Sequence, residues 1–211
     1  MKRVLLTCLA ILLLFVIASA AWYVYKLKSG PPKRPAVSRL KPAVTKALRS
    51  KGTELQAYAA ANNFNTSVCF LIDMKIESGR NRFFIFDMKK DSVLDASLVT
   101  HGRCNEDWLT GRKYSNDVGC GCTSLGKYKI GNPYKGRFGL AYKLHGLDAS
   151  NSNAFKRFVV LHSHSCVPNG EVDPYPICQS DGCPTVSASF LKKLAGILDA
   201  SGKPVLLWIY Q

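Results

Sequence analysis

Residues 158–187 read FVVLHSHSCVPNGEVDPYPICQSDGCPTVS. The stretch opens on Phe158-Val159-Val160-Leu161, an apolar run with the length and β-branched content of a buried strand, and that strand ends in His162-Ser163. A histidine at a strand end is held rigidly and opens into a cleft. Further on, Ser180-Asp181-Gly182-Cys183-Pro184 puts a cysteine directly behind a glycine in a tight turn. Glycine there permits φ > 0 and close backbone approach, and such a turn leaves the Gly182 and Cys183 N–H groups free to face a developing oxyanion. A thiol needs a base near neutral pH, and a nearby imidazole depresses its pKa. His162 lies 21 residues before Cys183, enough chain for a loop to return and pair the two. His164 shares a strand face with His162 and is the rival base.

Outward from this stretch, most of the chain reads as short strands. Residues 68–74, 82–87 and 92–100 are apolar runs of strand length, the last two separated by the turn Lys89-Lys90-Asp91. Residues 127–130 alternate until Gly131-Asn132-Pro133 breaks them, and residues 138–144 form a further strand. A helix over residues 44–62 is expected to break near Gly52. A second helix over 188–200 carries Phe190, Leu191, Leu194, Ile197 and Leu198 on one stripe, with Ser187 or Ser189 as its cap. Gly202-Lys203-Pro204 ends it, and residues 205–210 are a final buried strand. The expected fold is mainly β, a sandwich or barrel with few short helices.

Of the eight cysteines, Cys8 lies in the N-terminal apolar run. If Cys183 stays free, six remain for disulfides or buried thiols, and Cys166 with Cys178, flanking a Pro-rich loop, makes a plausible pair. Cys120 and Cys122 stand too close in an extended stretch to bridge each other. His162, His164, Cys166, Cys178 and Cys183 offer enough ligands for zinc, but no Cys-x-x-Cys pair exists and the gaps fit no zinc-ribbon or finger spacing. No metal or other cofactor is expected.

The chain of 211 residues carries a formal charge of +15, concentrated at one end. Before Glu54 there are eleven Lys/Arg and no acidic residue; from Glu54 onward there are 18 basic and 14 acidic residues, a surplus of +4. The charge therefore describes a segment and not a groove, which argues against a nucleic-acid partner. Residues 4–25 contain no charge, and 22 residues of helix reach about 33 Å, enough to cross a bilayer core. Ala18-Ser19-Ala20 fits a signal-peptidase site, whereas Trp22, Tyr23 and Tyr25 fit the aromatic belt of an uncleaved membrane anchor. Either reading sends the rest of the chain outside the cytoplasm, to the periplasm or cell envelope. The organisation expected is a signal or anchor over 1–25, a basic Pro-rich linker over 26–43, a helical lead-in over 44–66 and a catalytic domain over 67–211.

Val160-Leu161-His162-Ser163 and Ser180-Asp181-Gly182-Cys183-Pro184-Thr185-Val186-Ser187 together resemble the L,D-transpeptidase catalytic domain, in its divergent YkuD-like branch with Ser-x-Gly-Cys-Pro. Asn81-Arg82-Phe83-Phe84, Thr100-His101-Gly102, Ser124-Leu125-Gly126-Lys127-Tyr128 and Tyr142-Lys143-Leu144 are also similar to that branch. The departures are Asp181 where the common pattern has histidine, and a longer spacer. The resemblance implies an acyltransferase acting on peptidoglycan peptide stems, forming 3→3 cross-links through a Cys183 thioester and captured covalently by carbapenems. It implies His162 as general base and acid, Ser163 as the residue orienting it, and the Gly182 and Cys183 amides as oxyanion hole. Ser180 would shape the turn, and Asp181 would be available to a substrate amine. The alternatives are an L,D-carboxypeptidase using the same residues, with water as acceptor, or a non-catalytic disulfide-rich envelope-binding module. His101 is expected as an exposed turn residue and His145 as a satisfied loop residue. Trp108, Tyr128, Tyr134 and Tyr142 are expected in the core or at the rim.

Overall fold

The computed structural model describes residues 40–211, together with residues 12, 14–20 and 22. Residues 14–20 are helical, and no helix among the described residues is long and apolar enough to cross a membrane. The expected signal or anchor over 1–25 and the linker lie largely outside the described residues.

The folded unit is mostly β. Its elements are helix α1 (Pro42–Ala61), strands β1 (Val68–Asp73), β2 (Phe83–Asp87), β3 (Ser92–Ser97), β4 (Gly126–Gly136), β5 (Gly139–Gly146), β6 (Val160–Ser163) and β7 (Thr185–Val186), helix α2 (Ala188–Asp199) and strand β8 (Leu206–Tyr210). All eight strands join one sheet in the order β3-β2-β1-β8-β4-β5-β6-β7. Neighbours are antiparallel except β1 with β8 and β6 with β7.

The side-chain period of two splits each central strand between two cores. Phe70, Ile72, Phe83, Ile85, Leu207 and Ile209 face the larger core, which Phe190, Leu191 and Leu194 of α2 complete. Cys69, Leu71, Phe84, Phe86, Leu206 and Trp208 face the opposite side, where Leu48, Leu55 and Ala59 of α1 cover them. Buried on both faces, β8 and β1 up to Ile72 read as apolar runs. Each fully covered Leu or Phe contributes about 1.5–3 kcal/mol relative to exposure.

Two boundaries differ from expectation for local reasons. Helix α1 runs through Gly52 without a break, because a Cβ there would run into the Phe86 ring; the glycine lets the helix lie close on the sheet. Strand β4 continues past Gly131-Asn132-Pro133, which appears instead as a register shift between Ile130 and Pro133 against β5. Ser187 caps α2, its hydroxyl accepting from the Phe190 N–H.

Two disulfides, Cys104–Cys122 and Cys166–Cys178, staple the long loops beside β6 and β7. Cys69, Cys120 and Cys183 are free. Four of the six cysteines reckoned available for pairing are thus bridged; Cys69 packs as an apolar residue in β1, and Cys120 bonds polar neighbours.

Candidate active site

The parallel pairing of β6 with β7 sets His162 opposite Thr185 and Ser163 opposite Val186. Two residues upstream the same register brings Cys183 beside Val160, whose N–H donates to Sγ at 3.4 Å. The thiol donates to the Phe158 carbonyl at 3.7 Å. The buried strand expected from Phe158 begins only at Val160. Phe158 takes φ 55° and leaves its side chain 83% exposed.

Gly182 adopts φ 105°, the left-handed geometry expected of it, and a Cβ there would stand 2.6 Å from the Cys122 carbonyl oxygen. Ser180 Oγ accepts from the Gly182 N–H at 3.3 Å and donates to the Cys183 carbonyl at 2.7 Å, so it holds the turn from inside. Of the two amides expected to be free, the Gly182 N–H is therefore engaged, because the serine hydroxyl lies within its reach. The Cys183 N–H bonds nothing among the described residues. Thr100 Oγ1 accepts from the Thr185 N–H and donates to the Cys183 carbonyl, both at 3.1 Å.

His162 is 6% exposed, with Nδ1 3.1 Å from the Ser163 carbonyl oxygen and Nε2 3.1 Å from Thr185 Oγ1. A carbonyl only accepts, so the proton sits on Nδ1. The ring stacks on Phe138 at 4.9 Å between centroids, with 15° between planes. His164 presents its edge to the same phenyl ring at 5.4 Å and accepts from the Cys166 N–H at 3.1 Å through Nδ1. His162, His164, Asp181, Cys183 and Thr185 all line one cleft of about 370 Å³.

Within this cleft no hydrogen bond joins Cys183 Sγ to His162 among the described residues. Burial pushes the thiol pKa up; the Val160 N–H opposes this, Asp181 adds to it and Arg157 opposes it. Burial pulls His162 below the ordinary histidine value, against the Ser163 hydrogen bond and with His164 assisting. Burial thus acts against ionisation of both groups, and no hydrogen bond between them offsets it.

The cleft walls come from the stapled loops. Arg157 Nη1 donates to the Ser115 carbonyl at 2.9 Å and to Ser124 Oγ at 3.0 Å, while Nη2 donates to the Cys122 carbonyl and to Cys120 Sγ. Asp181 pairs with Arg103 Nε at 2.7 Å on the surface, so its carboxylate already has a cation. Cys166 and Cys178, weighed as metal ligands, are bonded to each other, and no group of three potential ligands occurs among the described residues.

His101 is a second departure. Expected in an exposed turn, it is 6% exposed, its Nδ1 3.1 Å from Arg82 Nη2 and its Nε2 3.4 Å from Gln179 Nε2. Arg82 is wholly buried, donating twice to the Val99 carbonyl and once to that of Ile76. Arg82 and Arg112 supplement burial in driving the His101 pKa down to about 4. His101, Trp108, Arg112 and Gln179 line a neighbouring cleft of about 380 Å³.

Sequence reasoning passed over Thr185, Thr100, Phe138 and Arg157. Thr100 and Thr185 stood in stretches that resemble the family, Thr100-His101-Gly102 and Cys183-Pro184-Thr185, but were given no role; Phe138 and Arg157 carried no signal.

The family model described as L,D-transpeptidase catalytic domain matches residues 40–210. No curated protein matches. Among solved structures, the helical cell shape determining protein Pgp2 from Campylobacter jejuni is 14% identical, with 69% of this chain and 48% of that one covered, at a TM-score of 0.44. An L,D-transpeptidase from Xylanimonas cellulosilytica is 15% identical, covering 73% and 68%, at 0.38. Mycobacterium tuberculosis L,D-transpeptidase 1 is 12% identical, covering 69% and 62%, at 0.35. The chain spans about half the length of the first of these. With His162 of β6 and Cys183, just ahead of β7, lining one cleft, and with the family match extending over residues 40–210, the chain belongs to the L,D-transpeptidase catalytic domain family.

Proposed function

We propose that the protein is a cysteine acyltransferase of the cell envelope, an L,D-transpeptidase that joins peptidoglycan peptide stems by 3→3 cross-links. The observation that carries this reading is the free Cys183 thiol behind a left-handed Gly182, in the cleft that also holds the neutral imidazole of His162.

In the reaction His162 Nε2 takes the thiol proton as Cys183 Sγ attacks the stem carbonyl. The new S–C bond gives a tetrahedral oxyanion, which the Cys183 N–H faces. The C–N bond to the terminal D-alanine breaks, and its nitrogen leaves with the proton held by His162. An amine of a second stem then attacks the thioester carbonyl, giving its proton to His162. The C–S bond breaks, and the proton returns to sulfur. Burial disfavours a standing thiolate, so the base works as the sulfur attacks. The envelope location and peptide-stem partners follow from this chemistry, and the first 25 residues supply export or a membrane anchor.

The test is incubation of the full chain with muropeptides, read by mass spectrometry beside Cys183→Ala. Wild-type chain is expected to give 3→3 dimers and to gain the mass of a carbapenem at Cys183; the variant gives neither. Dimers from Cys183→Ala at the wild-type rate would refute the assignment.

A further inference from the structure

Helix α1 covers one face of the sheet over β1, β2 and β8, and that face continues past the helix toward the cleft. Residues paired across strands share a face, as do alternate residues along one strand. Lys129 of β4 pairs with Leu206 under α1 and with His145 of β5; Lys143 and Ala141 follow on β5, paired with Val160 and His162 of β6. Tyr142 and Leu144, between them, point the other way into the larger core. At Lys143 the α1 face is open to solvent. It is also strongly basic. Residues 127–157 hold seven Lys and Arg against one acidic residue, a surplus of +6, whereas everything from Glu54 onward has a surplus of only +4. That acidic residue, Asp148, is paired with Lys127 at 3.4 Å. Among the described residues no carboxylate pairs with Lys129, Lys135, Arg137, Lys143 or Lys156. Burial, with Lys129 and Lys143, pulls the His145 pKa down, as an electropositive face requires.

Building on the transpeptidase reading, we propose that Lys143 is a specificity-determining residue: its ammonium, held between Phe155 and Tyr134 on the open sheet face, receives a carboxylate of the peptide stem whose carbonyl Cys183 attacks. Lys143 Nζ lies 5.4 Å from the centre of the Phe155 ring and 5.7 Å from that of Tyr134. Phe155 is itself braced by stacking on His145, at 5.2 Å and 16° between planes. Rings hold a cation in place through their faces and leave its charge unneutralised. The spacing to the sulfur fits a bound peptide. Lys143 is the direct partner of Val160, whose N–H donates to Cys183 Sγ. Cβ atoms of such partners stand about 4.5–5.5 Å apart, so ammonium and thiol serve groups close together on one chain. A stem ending in D-alanine carries a terminal carboxylate one residue past the attacked carbonyl, and acidic side chains add more. A carboxamide in the same place keeps the shape and loses the charge, which is the distinction Lys143 makes.

The experiment titrates the full chain carrying Cys183→Ala, which binds without turnover, with a synthetic tetrapeptide stem ending in D-alanine and follows backbone amide resonances. One version of the peptide is amidated at its C-terminus and another at its acidic side chains. The parent chain is expected to bind the free acid about fivefold more tightly than one of the two amides, and that amide identifies the carboxylate Lys143 receives. Adding Lys143→Gln lowers affinity for the free acid about fivefold and removes the discrimination, whereas Lys143→Arg keeps both within about twofold. Lys192→Gln removes the same charge from α2, which packs on the opposite face of the sheet, and changes neither. Absence of peptide binding, equal affinity of the parent chain for all three peptides, full discrimination by Lys143→Gln, or an equal loss in Lys192→Gln would overturn the assignment. So would Lys143-dependent binding of phosphatidylglycerol vesicles with peptide affinity unchanged, which would make the face a lipid-headgroup surface. If stems bind with the expected Lys143 dependence and wild-type chain never joins them, Lys143 keeps its role and the transpeptidase reading falls. If wild type joins muropeptides and Lys143→Gln discriminates like its parent, only the Lys143 assignment falls.

Discussion

Two polar clusters flank the Gln179-Ser180 segment and use the same kind of residue to opposite ends. Around His101 both ring nitrogens face N–H groups, of Arg82 and Gln179, the adjacent Arg82 is sealed from solvent, and burial reinforced by Arg82 and Arg112 holds the ring pKa down. Around His162 the ring is equally buried and also lines a cleft, but its nitrogens meet the Ser163 carbonyl and the Thr185 hydroxyl, not a cation, and it leans on an exposed phenylalanine. The first cluster is built of charge-to-carbonyl bonds that cost much if broken. The second is built of hydroxyls and a thiol, groups whose protons move at low cost. A buried histidine thus marks structure or chemistry according to what its second nitrogen touches.

The sharpest way to break this contrast is a reciprocal pair of variants. Cys183→Ala is expected to reduce muropeptide joining by at least about 10³-fold while leaving the thermal midpoint within a degree or so of wild type. Arg82→Met is expected to lower folding stability by about 2–4 kcal/mol, because it orphans the Val99 carbonyl and His101 Nδ1, while the Ile76 carbonyl keeps Arg112. Chemical denaturation measures it; a loss below about 1 kcal/mol would remove Arg82 from the structural side of the comparison.

The next effect is on pH. The folded-state pKa of His101 is depressed from the ordinary 6.5 to about 4. Between those values the unfolded chain binds a proton that the folded chain refuses, so stability falls as pH drops through that window, by up to about 3 kcal/mol. Denaturation midpoints at several pH values in wild type and His101→Gln check this, and the variant should lose much of the slope.

The smallest effect concerns Cys183. Its thiol pKa is raised above the ordinary 9.0, so alkylation by iodoacetamide should be slow at neutral pH and climb only in alkali. Because no hydrogen bond pairs the thiol with His162, His162→Gln should alkylate at a similar rate. Peptide mapping separates Cys183 from Cys120. Rapid, pH-independent alkylation near neutrality would show a preformed ion pair and erase the distinction between a resting thiol and a working base.

Much of the fold was legible because central strands declare themselves: β8 is apolar throughout and β1 is apolar up to its last residue, Asp73. The Gly182 turn was legible because only its backbone geometry was at stake. Gly52 misled because a glycine looks the same whether it ends a helix or makes room for Phe86, a residue 34 positions away. His101 misled for a similar reason. Thr100-His101-Gly102 has the composition of a turn, and only Arg82 and Gln179, brought from distant segments, make it interior. Phe138 enters the cleft from the connection between β4 and β5, a placement no local pattern encodes.

The close seat of α1 on the sheet bears on how the protein can be handled. Leu48, Gly52 and Lys51, whose Nζ stands 3.9 Å from the centre of the Trp208 ring, all precede Glu54. Trimming the chain to begin at Glu54 would strip the lid from Leu71, Phe84, Phe86 and Trp208, leaving a sticky aromatic plate that invites aggregation. Shortened versions meant for crystallisation or binding assays should start ahead of Leu40 and carry the whole helix.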